Sequence, residues 1–199
     1  MTVKQVTHWR TPDPSDPDGE REEVDSAEAE ELWAVEARTV LTDVAGTYHA
    51  LITHTDLAAA VQEAAGVHTG GHANHWIGRV LAKVAAVNLE QGEPPLISLV
   101  VHKLHGTVGE DYDAVLRLTG ADPITDPVAR EKHAAASRME CYRWADAVMP
   151  ADGGHASLSP RYGMVLSRER KKAREAEMPS ICPTCFMAIP PIGECDNCA

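Results

Sequence analysis

Four of the five cysteines lie in the last eighteen residues of the chain, in two pairs with the spacing Cys-x-x-Cys. The pairs are Cys182 with Cys185 and Cys195 with Cys198. Each pair can form a tight turn that directs both sulfurs to one side, and two facing turns supply four thiolates for a closed tetrahedral Zn²⁺ site. Because four protein ligands leave no coordination position for water or substrate, the spacing predicts one structural zinc ion and not a catalytic one.

A redox centre and a pair of disulfides are the alternative uses of these cysteines. Residues 1–10 contain no apolar run, so the sequence predicts no secretory signal and a cytoplasmic protein, and disulfides are rare in that compartment. A thioredoxin-like pair is expected beside a βαβ pattern, whereas Pro190, Pro191 and Gly193 interrupt regular structure here. The sequence therefore favours zinc. The fifth cysteine, Cys141, is predicted to be a small buried residue of a helix.

Composition limits the classes of partner. The chain has 199 residues, 44% of them hydrophobic, as in an ordinary globular protein, and no apolar stretch has the length of a membrane span. Its formal net charge of -12 argues against a protein that covers nucleic acid with its whole surface. Ten of the thirty acidic residues lie in residues 11–31, and residues 1–25 are predicted to be a disordered acidic arm.

Two helices are predicted after the acidic arm. Asp25 and Glu28 have the form of a capping box, and the helix that they begin is expected to end at Gly46. A second helix over residues 56–65 follows, with Thr55 as its expected N-cap.

A third helix and a strand are predicted in the middle of the chain. The helix is expected over residues 73–90, with apolar residues on one side and a basic, histidine-bearing stripe on the other. The apolar run 96–101 predicts a buried strand, and the polar, glycine-containing segment 102–111 predicts a loop of the wing type. Two helices joined by a turn and followed by a wing are typical of a winged helix-turn-helix.

Proline positions predict the last two helices. Asp126 and Pro127 form a cap followed by proline, which opens a helix to about Val148, and Ser159 and Pro160 repeat the pattern. The predicted fold is mainly α with a small β wing, divided into five segments. These are a disordered acidic arm (1–25), a winged-helix-like domain (26–120), a helical segment (121–150), a linker with a basic helix (151–177) and a zinc module of the knuckle or ribbon type (178–199).

Three short segments carry a resemblance to a known family. Residues 52–58 (ITHTDLA), 77–81 (IGRVL) and 95–103 (PLISLVVHK) stand where alkylguanine alkyltransferases and their alkyltransferase-like relatives have T-Y-x-x-[LI]-A, V-G-R-A-L and P-C-H-R-V. The region also resembles winged-helix-type domains of uncharacterised bacterial and phage-type proteins, in which a C-terminal four-cysteine module is common. The family's reactive cysteine is missing, because residues 96–101 read LISLVV. The resemblance implies DNA binding without alkyl transfer.

Two basic elements are predicted to contact nucleic acid. The first, on and after the third helix, consists of His72, His75, Arg79, Lys83 and Lys103, and the second, in the last helix, of Arg168, Arg170, Lys171, Lys172 and Arg174. The alternatives are an ordinary solvated helix face for the first and a charged connecting helix with internal ion pairs for the second. Residues 53–112 hold three cations against six carboxylates, which weakens the case for the first element.

Two groups of histidines have spacings that could serve metal binding or catalysis. His68, His72 and His75 are spaced for a second metal, but no carboxylate pattern accompanies them. His102 and His105 flank the predicted wing, yet no nucleophile or paired carboxylate lies at a recognisable distance.

We therefore expect a protein that is not an enzyme: a nucleic-acid-binding or regulatory adaptor with one structural zinc ion, DNA being the favoured ligand. The first alternative is a protein-interaction module that binds a larger machine as a phage or host regulator, and the second, which only the family resemblance implies, is a nuclease or repair accessory protein.

Overall fold

The elements of the fold are long helices separated by short strands and turns. A computed structural model describes residues 7–11, 21–177, 181–189, 195 and 197–198. The helices are α1 (Ser26–Ala45), α2 (His54–Ala65), α3 (Ile77–Gln91), α4 (Asp113–Leu118), α5 (Pro127–Trp144) and α6 (Pro160–Glu177). The strands are β1 (His8–Arg10), β2 (Glu22–Val24), β3 (Ile52–Thr53), β4 (Val67–Thr69) and β5 (Val100–Val101), and short 3-10 helices span Ala73–His75, Leu96–Leu99 and Glu110–Tyr112. The predicted class, mainly α, is confirmed.

Helix α1 is the central element of the core. The Asp25 side chain caps it and the helix ends at Gly46, which confirms the predicted boundaries. Trp33 is fully buried; its indole Nε1 donates a hydrogen bond to the backbone oxygen of Val67 at 2.9 Å, and its ring centroid lies 4.3 Å from that of Trp76. Helices α2 and α3 pack against α1 and bury their apolar sides there.

The predicted acidic arm is partly ordered. Strand β1 pairs antiparallel with both β2 and β4, in the order β2-β1-β4. His8 and Val24 are buried, and the imidazole of His8 lies 5.3 Å from Trp33 with the rings edge to face. The prediction of disorder over 1–25 is therefore wrong for these strands, because a few apolar and aromatic side chains are enough to dock a polar segment on an existing core. The rest of the arm lies outside the described residues.

The predicted wing differs in the structure. The run 96–101 forms a 3-10 helix followed by the two-residue strand β5, and not one continuous strand. A side chain provides one of the hydrogen bonds that its buried backbone needs: Arg138 Nε on α5 donates to the backbone oxygen of Ser98 at 2.7 Å. Strand β5 pairs in parallel with β3, so no antiparallel hairpin forms in the described residues 96–112. The described structure does not confirm a winged helix-turn-helix.

Helix α2 begins two residues earlier than predicted. The side chain of Thr53, and not of Thr55, accepts a hydrogen bond from the backbone nitrogen of Asp56 at 3.2 Å. His54 is therefore the first residue of the helix and directly follows β3. In the parallel pair, Thr53 lies opposite Val101, which places the residues after the two strands side by side. The third helix also differs, because a separate 3-10 helix precedes α3.

Helix α5 belongs to the same core as α1, α2 and α3. Asp126 caps it, as predicted, by accepting a hydrogen bond from the backbone of Ala129 at 2.8 Å. The fully buried Glu131 forms an ion pair with Arg138 at 2.7 Å and accepts a hydrogen bond from the backbone nitrogen of Val108 at 2.9 Å. This buried pair ties α5 to the loop that follows β5.

The chain divides into two compact units, Met1–Pro160 and Arg161–Ala199. The first unit contains both of the segments that were predicted separately as 26–120 and 121–150, since Met139 and Cys141 of α5 lie in the same buried cluster as Trp33. The second unit holds nearly all of α6 and the cysteine-rich tail. No helix of the described residues has the length and apolar character needed to cross a lipid bilayer.

Candidate metal centres

The four tail cysteines lie close together. The Sγ atoms of Cys182 and Cys198 are 3.9 Å apart, those of Cys185 and Cys195 are 3.5 Å apart, and all four lie within 4.8 Å of one another. A tetrahedral ion with bonds of about 2.3 Å to sulfur holds its sulfurs about 3.8 Å apart. These separations exceed the disulfide bond length of about 2.05 Å. The four predicted ligands are therefore placed as a metal ion requires.

A tight hairpin positions the first cysteine pair. The backbone nitrogen of Cys182 donates to the oxygen of Met187 at 2.8 Å, and the nitrogen of Phe186 donates to the oxygen of Cys182 at 2.9 Å. Phe186 closes the turn with a φ of 58°. Hydrogen bonds from the backbone of Cys185 and Thr184 lower the pKa of Cys182 to about 6, whereas the hydrogen bond with Cys185 raises the pKa of Cys198 to about 11, so thiolate character, which metal binding requires, is concentrated on the first pair.

Part of the basic stripe predicted around α3 is already paired with carboxylates of α1. Arg79 Nε contacts Glu30 Oε1 of α1 at 2.6 Å, and Lys83 pairs with Glu31 of the same helix. The guanidinium of Arg79 also donates to the backbone oxygen of His75 at 2.6 Å. The remaining predicted contacts of this element, His72, His75 and Lys103, are exposed. Two of its three cations therefore already face carboxylates.

The basic element of α6 is exposed throughout. The side chains of Arg168, Arg170, Lys171, Lys172 and Arg174 are all accessible to solvent. Within residues 167–176, the one ion pair is that of Lys171 with Glu175 at 3.8 Å. Glu169 and Glu177 are the other acidic residues of this helix that the sequence places near its cations, and the side chain of Glu177 lies outside the described part of the chain.

A second group of metal-binding side chains lies in the first unit. The donor atoms of His54, His102 and Asp111 all lie within 4.8 Å of one another. His54 Nε2 is 2.9 Å from Asp111 Oδ2, and the two imidazole rings stack with centroids 4.4 Å apart and 20° between their planes. We call these three residues the His-His-Asp cluster. His54 is buried, Asp111 half-buried and His102 exposed, so the cluster spans from the core to the surface.

Two paired strands and one 3-10 helix position this cluster. His54 follows the last residue of β3, His102 follows the last residue of β5, and the parallel register places the two side by side. Asp111 lies in the 3-10 helix Glu110–Tyr112, which the buried hydroxyl of Tyr112 anchors by a contact of 2.9 Å to Ser137 of α5. The cluster is therefore held by elements of the core.

Burial and the interactions within the cluster shift the pKa values of all three residues. Burial disfavours the charged form of His54, but the hydrogen bond and negative charge of Asp111 outweigh it, so the pKa of His54 is raised. Burial likewise opposes the charge of Asp111, yet its hydrogen bond to His54 leaves the pKa of this carboxyl below its usual value. Partial burial, followed by the charge of His54, lowers the pKa of His102. Near neutral pH the cluster thus offers a carboxylate and a neutral imidazole of His102.

The sequence interpretation missed most of this cluster. Only His102 was considered, together with His105, and His54 and Asp111 were not. The available indication was that two short segments rich in apolar residues, LIT at 51–53 and LVV at 99–101, are each followed directly by a histidine. The structure does not bring together His68, His72 and His75, whose spacing suggests a second metal site. In the described residues, the group that combines nitrogen and oxygen donors is the His-His-Asp cluster.

Comparison with known proteins does not supply an identity for either centre. No protein-family model, curated protein or solved structure matches the chain.

Proposed function

We propose that this protein binds nucleic acid through α6 and the cysteine module that follows it, with one structural Zn²⁺ ion in that module. The observation that carries the proposal is the exposure of α6, where every residue from Ser167 to Ala176 is accessible to solvent. This span holds five basic residues against two acidic ones. Tyr162 in the first turn of α6 is buried, but the segment from Ser167 to Ala176 buries no face of its own, so its cations are available to a polyanion.

The internal ion pair of α6 presents little competition to phosphate. An exposed pair at i, i+4 such as Lys171 with Glu175 contributes only about 0.3–0.5 kcal/mol. A phosphate contact instead releases condensed counterions, which is the main source of non-specific affinity for duplex DNA. The basic side chains occupy more than half of the circumference of the helix, a distribution that suits a phosphate backbone better than one row of bases.

The stripe around α3 contributes less in this proposal. Arg79 and Lys83 are paired with Glu30 and Glu31 of α1, so a phosphate must displace carboxylates and approach their negative charge. This arrangement is the reason for assigning the primary contact to α6.

Zinc is the ion that best suits the cysteine module. Four sulfur donors at tetrahedral spacing select Zn²⁺ or an iron-sulfur cluster among common protein metals. A single ion requires sulfurs about 3.8 Å apart, close to the 3.5 and 3.9 Å found here.

A protein-binding adaptor is the second candidate, and exposed apolar side chains of the module favour it. Ile181, Phe186 and Met187 are 54%, 77% and 59% exposed. Such a group is typical of a protein contact, although an exposed phenyl ring also stacks on unpaired bases. In this alternative the module attaches the protein to a larger assembly as a regulator.

The charge of α6 separates the two candidates. We expect Lys171→Glu/Lys172→Glu to weaken binding to duplex DNA and to lower the slope of log K against log salt by about 1.8, since each phosphate contact contributes about 0.9. Fluorescence anisotropy at several salt concentrations measures both quantities, with duplex and single-stranded oligonucleotides in separate series. Arg79→Glu/Lys83→Glu is expected to have a smaller effect.

Lys132→Glu is the matched control, because Lys132 is an exposed cation of α5 outside both basic elements. A wild-type protein without salt-sensitive binding to any oligonucleotide at low ionic strength would contradict the proposal and favour the adaptor. Equal losses per reversed charge in the Lys132 variant and in the double variant would also contradict it, because they would show an effect of net charge alone.

Alkyl transfer is not part of the proposed function. Cys141, the one cysteine outside the tail, is fully buried, and its burial raises the pKa of the thiol to about 12. A neutral, inaccessible thiol is a poor nucleophile. Incubation with alkylated DNA is expected to leave the mass of the protein unchanged, and mass spectrometry that finds an added alkyl group on any residue would prove this expectation wrong.

A further inference from the structure

We propose that His54, His102 and Asp111 bind a second metal ion, a divalent transition metal such as Zn²⁺, in a site separate from the four cysteines. The site would use two imidazole nitrogens and one carboxylate oxygen. It rests on the geometry of the first unit alone and is independent of nucleic-acid binding.

The donor atoms need only small movements to bind an ion. With bonds of about 2.1 Å, a tetrahedral ion holds nitrogen and oxygen ligands about 3.4 Å apart. His54 Nε2 and Asp111 Oδ2 are now 2.9 Å apart, and no pair of donors in the cluster exceeds 4.8 Å. Side-chain movements of about 1 Å, with release to solvent of the proton that His54 Nε2 shares with Asp111, therefore convert the hydrogen-bonded cluster into a ligand set.

Gly109 keeps the space between two of the donors open. A Cβ atom at this residue would lie 2.2 Å from Asp111 Oδ1 and 2.5 Å from His102 Nε2. The carboxylate and the imidazole therefore face the same small region beside the glycine. The φ of Gly109 is -86°, which any residue can adopt, so the glycine is required here for space and not for backbone conformation.

The composition of the cluster indicates the class of metal. Imidazole nitrogens suit zinc, iron, copper and nickel, and a carboxylate completes a set that is found with zinc and with iron(II). Three protein ligands leave at least one coordination position. A cavity of about 130 Å³ adjoins the cluster and is lined also by Asn74, Ile77 and Gly78, so a water molecule or a small oxyanion has room at that position.

Metal stoichiometry provides the first test. Protein loaded with Zn²⁺ and desalted is expected to hold one more zinc ion per chain than His102→Ala, which removes an exposed ring and leaves the core unchanged. Asp111→Asn retains the shape and is expected to weaken Zn²⁺ at this site by more than about 100-fold, since loss of an outer hydrogen-bond partner alone costs about 10- to 100-fold. Circular dichroism verifies that both variants are folded.

Two matched controls exclude other zinc ligands. His105→Ala removes a neighbouring exposed histidine that is not in the cluster, and His72→Ala/His75→Ala removes the other exposed histidine pair. Both are expected to retain the wild-type zinc content. If either loses the additional ion, or if His102→Ala retains it, the proposed site is ruled out.

Cobalt distinguishes the two centres and tests the space beside Gly109. Co²⁺ bound by cysteines gives sulfur-to-metal charge-transfer absorption, whereas Co²⁺ in the His-His-Asp cluster gives only ligand-field bands. Gly109→Ala is expected to abolish the ligand-field bands of the His-His-Asp cluster and to leave the charge-transfer absorption of the cysteine site. Gly78→Ala, whose Cβ would lie at an ordinary 3.9 Å from Asp111, is expected to retain both. Equal cobalt spectra for the two glycine variants would overturn the proposal.

Discussion

Replacement of Cys185 by serine is expected to release the zinc ion of the tail and to unfold the cysteine module. Four thiolates are placed at the spacing of a tetrahedral ion. Structural zinc sites bind with apparent free energies of about 10–16 kcal/mol near pH 7, and this binding energy is also the folding energy of the module. The loss is therefore larger than any single packing defect can produce.

Metal analysis and hydrogen exchange measure this effect together. The Cys185→Ser variant should hold one zinc ion fewer per chain than the wild type, and amides of residues 181–189 should lose protection. Thr184→Ala is the matched control, because Thr184 is an exposed residue of the same turn and not a ligand. The first unit should keep its thermal transition in both variants. A variant that retains its full zinc content, or a metal-free wild type with a protected tail, would refute the assignment.

Replacement of Glu131 by alanine is expected to have the largest effect on the first unit. Its carboxylate is fully buried between the guanidinium of Arg138 and the backbone nitrogen of Val108, at 2.7 and 2.9 Å. Removing one partner of a buried ion pair leaves an uncompensated charge, which costs about 3–5 kcal/mol. Because the pair also holds the loop after β5, the same change should loosen His102 and Asp111.

Urea unfolding of the variant measures the first effect, and Zn²⁺ affinity of the His-His-Asp cluster measures the second. Glu140→Ala is the control on the same helix: Glu140 is exposed, and its loss should change the free energy of unfolding by less than about 0.5 kcal/mol. Destabilisation of less than about 1 kcal/mol for Glu131→Ala would show that the pair does not support the loop.

The starts of α1, α5 and α6 followed from local chemistry and were predicted well, whereas α2 and α3 begin elsewhere than predicted and α5 ends at Trp144 and not near Val148. Asp25, Asp126 and Pro160 act within one turn of their own position in the chain, so their effect is visible in the sequence. The strands were predicted less well. The run 96–101 has the composition of a strand, but Arg138 from α5 satisfies part of its buried backbone and only two residues join a ladder.

The two metal centres also differ in whether their ligands are close together or far apart along the chain. The cysteine site can be predicted from local sequence, because two Cys-x-x-Cys turns each place their sulfurs locally and only nine residues lie between them. The His-His-Asp cluster instead depends on contacts between elements that are distant along the chain. His54 and His102 meet because β3 and β5 pair in parallel at one register, and a shift by one residue would turn one ring to the other face. Asp111 joins them because the buried ion pair of α5 holds the intervening loop, a contact across the fold that no local pattern encodes.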